Sequence, residues 1–200
     1  MPAHCAIRLG DTEGLIFALY GRRAHMMIAG EARASLHVAE QCLTTAERYT
    51  ERDYRLLGHY GLGATWMLVG ELVNARAQFE RTVALYNPDR DRDLTARCAA
   101  DPLASALGYL SLIYWALGYP EQARLSSATA FRCSNQPKHA ATSAHVHVYA
   151  GAQLAELFRD TMATRDYASA VIAMSDEHGL KAFHAHATIL LGWALGRSML

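Results

Sequence analysis

One stretch limits the fold of this chain more than any other: residues 62–88, LGATWMLVGELVNARAQFERTVALYNP. Gly63 and Trp66 fall on one helix, Gly70 interrupts it, Ala75 and Phe79 fall on the next, and Pro88 closes that. Antiparallel helices approach closely only where small residues meet. The spacing therefore predicts Gly63 facing Ala75, with Trp66 and Phe79 filling the space beside them. The stretch reads as one helical hairpin.

The hairpin recurs. Gly118 makes a later turn, with Leu110, Tyr114 and Ala123 in matching positions. Gly30 makes an earlier one with Met26 and Ala39, and a last turn falls near Arg159, with Ala168 and Val171 on its second helix. The turns are spaced 40, 48 and 41 residues apart, and the longest interval holds an insertion at 88–101, PDRDRDLTARCAAD. This order of residues is similar to the tetratricopeptide signature, W-x2-L-G-x2-Y and then Ala, Phe and Pro. His59 takes the Trp slot, Trp66 the Tyr slot, and Pro88 stands one place late. The intervals exceed the ~34 residues of that repeat, which implies longer helices or connections.

No run alternates convincingly with period two, so no sheet is expected. The expected fold is all-α: a tetratricopeptide-like superhelix of antiparallel helical hairpins, an α-solenoid. A single array over 1–200 would hold hairpins at about 12–48, 53–87, 102–135 and 138–179, with incomplete repeats at both ends. AHCAIRLGD at the start reads as the last turns of a second helix, closed by Gly10. AFHAHATILLGWALGRSML at the other end reads as a first helix that is apolar nearly all round, and such a helix expects cover. Residues 182–200 are therefore expected to meet the next helix of a longer array or another chain, including a second copy, with Phe183, Leu190 and Trp193 as interface residues.

Composition narrows the function. Lys plus Arg and Asp plus Glu are balanced at 19 each, so no field favours nucleic acid or an anionic membrane. Residues 103–119 carry no charge, yet Gly108, Ser105 and Ser111 interrupt them and Pro102 and Pro120 bracket them, as in a buried helix rather than a membrane span. Cys5, Cys42, Cys98 and Cys133 form no CxxC pair and read as reduced, buried side chains. No signal peptide is recognisable, which points to the cytoplasm.

Two further segments carry a more specific likeness. LYNPDRDRDLTARCAADPLASALGYLSLIYWALGYPEQA and, further on, VIAMSDEHGLKAFHAHATILLGWAL resemble a bacterial repeat region. It is the tetratricopeptide-like C-terminal part of large proteins that carry a class III adenylate/guanylate cyclase domain and a P-loop ATPase domain. Related arrays occur in ATP-dependent transcriptional activators. The resemblance implies a regulatory or scaffolding module. The catalytic and nucleotide-binding residues of such proteins lie in domains this chain does not contain, and no GxxxxGK[ST] occurs here.

The remaining motifs read as structural. GHYGLG at 58–63 lies inside a predicted helix and suits helix packing rather than a nucleotide. In His145-Val-His147 and His184-Ala-His186 the paired rings point to opposite sides of a helix, so neither pair shares a metal. The alternation from Asp89 to Asp93 reads as a solvated, self-neutralised loop, with a partner-binding loop over 88–101 as the alternative. No nucleophile elbow stands out; the chain is expected to be no enzyme and to hold no cofactor or metal.

Equivalent repeat positions give the candidate site. Ten residues before each turn stand Tyr20, Tyr60, Gly108 and Tyr149; three before stand Met27, Met67, Trp115 and Glu156. All fall on first helices, which line the concave surface of stacked hairpins. Tyr20, Met27, Tyr60, Met67, Trp115 and Tyr149 are thus candidate contacts for a protein or peptide partner, or for other domains of a longer chain. The same positions could instead pack against the adjacent repeat. The alternative function is a sensor in which this groove takes a small apolar effector.

Overall fold

A computed structural model describes residues 11–49, 53–98, 100–134 and 139–197 of the chain. The described residues form helices joined by short turns, with no strand among them. The expected helix end at Gly10 lies outside the described residues. Contacts divide the chain into two compact units, Met1–Tyr86 and Asn87–Leu200.

The first unit holds α1 (Thr12–Ile28), α2 (Ala32–Arg48), α3 (Arg55–Val69) and α4 (Leu72–Leu85). Asp11 caps α1 by accepting the Gly14 amide at 2.8 Å. Gly30 and Gly70 make the turns at φ of 81° and 93°, in the left-handed region that a side chain disfavours. Ile16, Val38, Ala39, Leu56, Leu57 and Phe79 build the core between the helices.

α3 is buried on most sides, and its glycines explain how. A Cβ on Gly58 would lie 2.7 Å from the Leu43 Cα on α2. One on Gly61 would lie 3.0 Å from Arg23 Nε on α1, and one on Gly63 would lie 3.1 Å from the Phe79 ring on α4. GHYGLG therefore serves three helix contacts at once. Gly63 makes room for Phe79 and for Gln78, whose Cβ would be 3.2 Å away, on the helix that also buries Ala75. Tyr60 rather than Trp66 meets Phe79, edge to face with centroids 5.8 Å apart, while Trp66 is half-buried.

The second unit opens with two single-turn helices, α5 (Pro88–Asp91) and α6 (Leu94–Arg97). There follow α7 (Pro102–Ala116) and α8 (Pro120–Ser134). Helix α9 is α-helical over Ala140–Val146, π-helical over His147–Gln153 and α-helical again over Leu154–Leu157. Two long helices close the unit, α10 (Thr161–His178) and α11 (Lys181–Arg197). Asp101 and Asp160 cap α7 and α10 by accepting the Ala104 and Ala163 amides at 2.8 and 3.0 Å. Gly118, Arg159 and Gly179 turn the chain at φ of 85°, 62° and 69°.

The insertion departs from its expected solvated loop. Asp91 is fully buried, accepting the Asn87 amide at 2.9 Å and two Arg90 N–H bonds at 2.7 Å. Asn87 caps α5 with Pro88 in its first turn, and Leu94 is fully buried. The charge alternation hid a capped turn anchored by one leucine.

In α9 the π-helical stretch has local support. The Ser127 hydroxyl on α8 donates to the Ala150 carbonyl at 2.7 Å, and Gly151 admits the Tyr167 ring, which a Cβ would approach to 2.9 Å. Val148, Ala152, Ala168, Val171, Ala187 and Leu190 form the core there. α11 buries Ala187, Leu190 and Ala194 but leaves Ile189 72% exposed, with open space around Gly192 and Gly196. No described helix is long and apolar enough to cross a membrane. Cys42 is buried and Cys98 and Cys133 are half-buried, and Cys5 lies outside the described residues.

Candidate partner-binding faces

Each unit gathers polar and aromatic side chains on its first helices. In the first unit Tyr20, Arg23 and Met27 share one face of α1 at helical spacing. The Tyr20 and Tyr60 rings lie 6.4 Å apart, bringing α3 to the same place. Arg23 stacks its guanidinium 5.0 Å above the Tyr20 ring and donates from Nη1 to the Met27 sulfur. The Thr65 hydroxyl bonds the Gly61 carbonyl at 3.0 Å and touches the Met27 sulfur at 3.7 Å. Arg23 is only 4% exposed, and its Nε has no hydrogen-bond partner. Burial pushes the nearby Cys42 thiol up to about 11, an effect the Arg23 charge partly offsets, so Cys42 stays a neutral thiol. Met67 lies half-buried in the last turn of α3.

In the second unit α7, α9 and α11 contribute an aromatic and histidine cluster. His145 packs edge-on against Tyr109 at 4.7 Å and Phe183 at 6.2 Å, and tilted against Tyr149 at 4.5 Å. Tyr149 also meets Tyr109 at 4.7 Å and His186 at 5.3 Å. Gly108, the residue that breaks the tyrosine series, leaves the space His145 uses: a Cβ there would lie 3.5 Å from Nδ1. Both His145 ring nitrogens are buried without a partner. Burial holds this imidazole down to about 3, with a smaller push from His186, so it is neutral near pH 7. Burial also lowers His186, and it raises Tyr149 against an opposing hydrogen bond with Tyr109.

The candidate residues thus fall into separate groups. Tyr20, Met27 and Tyr60 come together, as do Tyr149 and Phe183. Trp115 stands apart, edge-on to Phe158 at 6.4 Å, with Arg124 4.0 Å above that ring. Leu190 is a core residue, and Trp193 is half-buried beneath Arg197, 5.5 Å from its ring. His147 points away from His145, to Phe131 and Tyr167 at 5.0 and 6.0 Å, so the two share no ligand. Among the described residues no three His, Cys, Asp or Glu side chains are grouped to hold a metal. Open grooves among the described residues lie elsewhere. One of about 450 Å³ runs along α1 and α2 beside Leu15 and Gln41; one of about 330 Å³ runs among α8, α9 and α10 beside Phe131, Gly151 and Tyr167.

Repeat alignment alone missed Arg23, Thr65, Tyr109 and His145. A signal existed for two of them: Arg23 stands three residues from Tyr20 and four from Met27, and His145 stands four before Tyr149.

No family model matches the sequence, and no curated protein matches it. Among solved structures the chain is similar to nearly identical TPR-like repeats provisionally assigned to a kinesin light chain of Podosopora anserina. The TM-score is 0.53 at 13% identity, over 88% of this chain and 83% of that one. At that identity the likeness is one of fold. The chain is an all-α assembly of tetratricopeptide-like antiparallel helical hairpins.

Proposed function

We propose that this chain is a non-catalytic scaffold that binds protein or peptide partners through its first-helix faces. The observation that carries the reading is the composition of those faces. Tyr20, Met27 and Tyr60 in one unit, and Tyr109, Tyr149 and Phe183 in the other, are residue types enriched at interfaces. The perturbed groups support a non-catalytic role, because Cys42 is a shielded thiol and His145 an enclosed neutral ring. Balanced charge supports a protein rather than a nucleic acid as partner.

The wider setting rests on the resemblance of residues 85–123 and 171–195 to arrays in bacterial cyclase and ATPase signalling proteins. In that setting the chain works in the cytoplasm as a regulatory part of a longer polypeptide. The open side of α11, with Ile189 and Gly192, is where a further helix or a second copy would pack. Translating the DNA on either side of the reading frame tests this. Continuous coding into a cyclase or ATPase domain supports it, and stop codons on both sides contradict it.

A small-effector sensor is the second reading, favoured by the two unpartnered nitrogens of His145. A peptide library and a metabolite panel, each screened against the whole chain, separate the readings. Peptide binding lost in Tyr149→Ala supports the scaffold. Thermal stabilisation by a metabolite alone supports the sensor.

A further inference from the structure

We propose that Arg23 is the core of a carboxylate-binding site in the first unit, covered by Met27. A guanidinium keeps its charge at any pH a protein meets, so a buried arginine ordinarily sits beside a carboxylate. Arg23 does not. It is 4% exposed, its Nε has no hydrogen-bond partner, and among the described residues no ion pair includes it. Its acceptor is the Met27 sulfur, one of the weakest a protein offers. The other ionisable group that senses it, Cys42, is a neutral thiol.

The surroundings are built to hold the cation rather than to neutralise it. Gly61 withholds a side chain where a Cβ would come 3.0 Å from Nε, and Tyr20 offers its ring face at 5.0 Å. Thr65 steadies the α3 side through the Gly61 carbonyl and touches the Met27 sulfur. Met27 is half-buried in the last turn of α1, on an unbranched and flexible side chain. Its departure exchanges a thioether for two parallel charge-assisted bonds to one carboxylate. The ligand class is a compact monocarboxylate group, carried by a free organic acid or by an acidic side chain of a peptide. The site stands independently of the scaffold reading, since a free acid would fill it without any partner protein.

The test follows the Arg23 Nε–Hε NMR cross-peak in the full chain, identified by its loss in Arg23→Lys. Sodium acetate and sodium glutarate are titrated against sodium chloride at matched ionic strength. The expected result is a saturable shift with the carboxylates and none with chloride. Apparent affinity should be several-fold tighter in Met27→Ala, where the covered state no longer competes. Arg23→Met should keep or raise the unfolding temperature, because an unpaired buried charge is gone, and should abolish protection by acetate. A cross-peak that follows ionic strength alone overturns the site. So does an Arg23→Met chain that loses its fold while the parent ignores acetate, since the guanidinium is then a packing element. An end-capped peptide with one Glu among apolar residues, set against its Gln counterpart, identifies the source. Tighter binding than glutarate assigns it to a protein side chain, and glutarate binding alone assigns it to a free acid.

Discussion

Gly58 and Gly21 occupy helices of the same unit, yet an added methyl group should act on them in opposite directions. At Gly58 it meets the Leu43 backbone, which cannot yield as a side-chain tip would. Gly58→Ala should therefore cost about 1–3 kcal/mol through overpacking. At Gly21 nothing lies within 4 Å, so Gly21→Ala should gain about 0.5–1 kcal/mol from helix propensity. Urea unfolding of both variants checks the signs. His145 gives a pH prediction. Its folded pKa is depressed from 6.5 to about 3, so the unfolded chain takes the proton first. Stability should be complete above about pH 6.5, fall by about 2 kcal/mol at pH 5, and go on falling toward pH 3. The groups facing the ring are Tyr109, Tyr149 and His186, and the lowered His186 acts in the same direction. His145→Phe should flatten the profile, read as urea midpoints at pH 8 and pH 5; an unchanged slope would place the effect elsewhere. Neither behaviour could be read from repeat alignment. Alignment reports which positions are equivalent, whereas Arg23 and His145 owe their character to glycines on a neighbouring helix.

Helices and turns were far more legible. Gly30, Gly70, Gly118 and Arg159 all fall where the small-and-aromatic pattern places a turn, and all four sit at positive φ. The pattern is local, and the left-handed turn is a backbone demand that sequence expresses directly. Two elements escaped it. The π-helical stretch has no signature of its own, because it depends on Ser127 and Tyr167 from other helices. Ser127→Ala should cost about 1 kcal/mol and speed amide hydrogen exchange within residues 147–153 while sparing α7. The insertion escaped because alternating Asp and Arg look solvated, although Asp91 folds back onto its own backbone. Asp91→Ala should cost about 1.5–3 kcal/mol, since charged hydrogen bonds are lost from a buried site. Exchange at the Asn87 amide would rise with it.

Across the whole molecule, the fold follows from hairpins that cannot bury their apolar faces alone. The first-helix clusters and the open side of α11 are both consequences of that rule, and they differ in chemistry. The clusters are aromatic and polar, whereas α11 offers Ile189 and Leu195 beside two glycines, as a packing surface for another helix would. If a second copy covers α11, Ile189→Glu should shift sedimentation toward the monomer without loss of helicity. The proposed binding role is tested most directly by selecting peptides from a random library against the full chain, then measuring the best binder against three variants. The account predicts at least about tenfold weaker binding in Tyr60→Ala or Tyr149→Ala, as expected for aromatic hot spots, and no change in Leu125→Ala on the exposed side of α8. Binding that survives both tyrosine changes and is lost in Leu125→Ala would contradict it, moving the partner to the second-helix face.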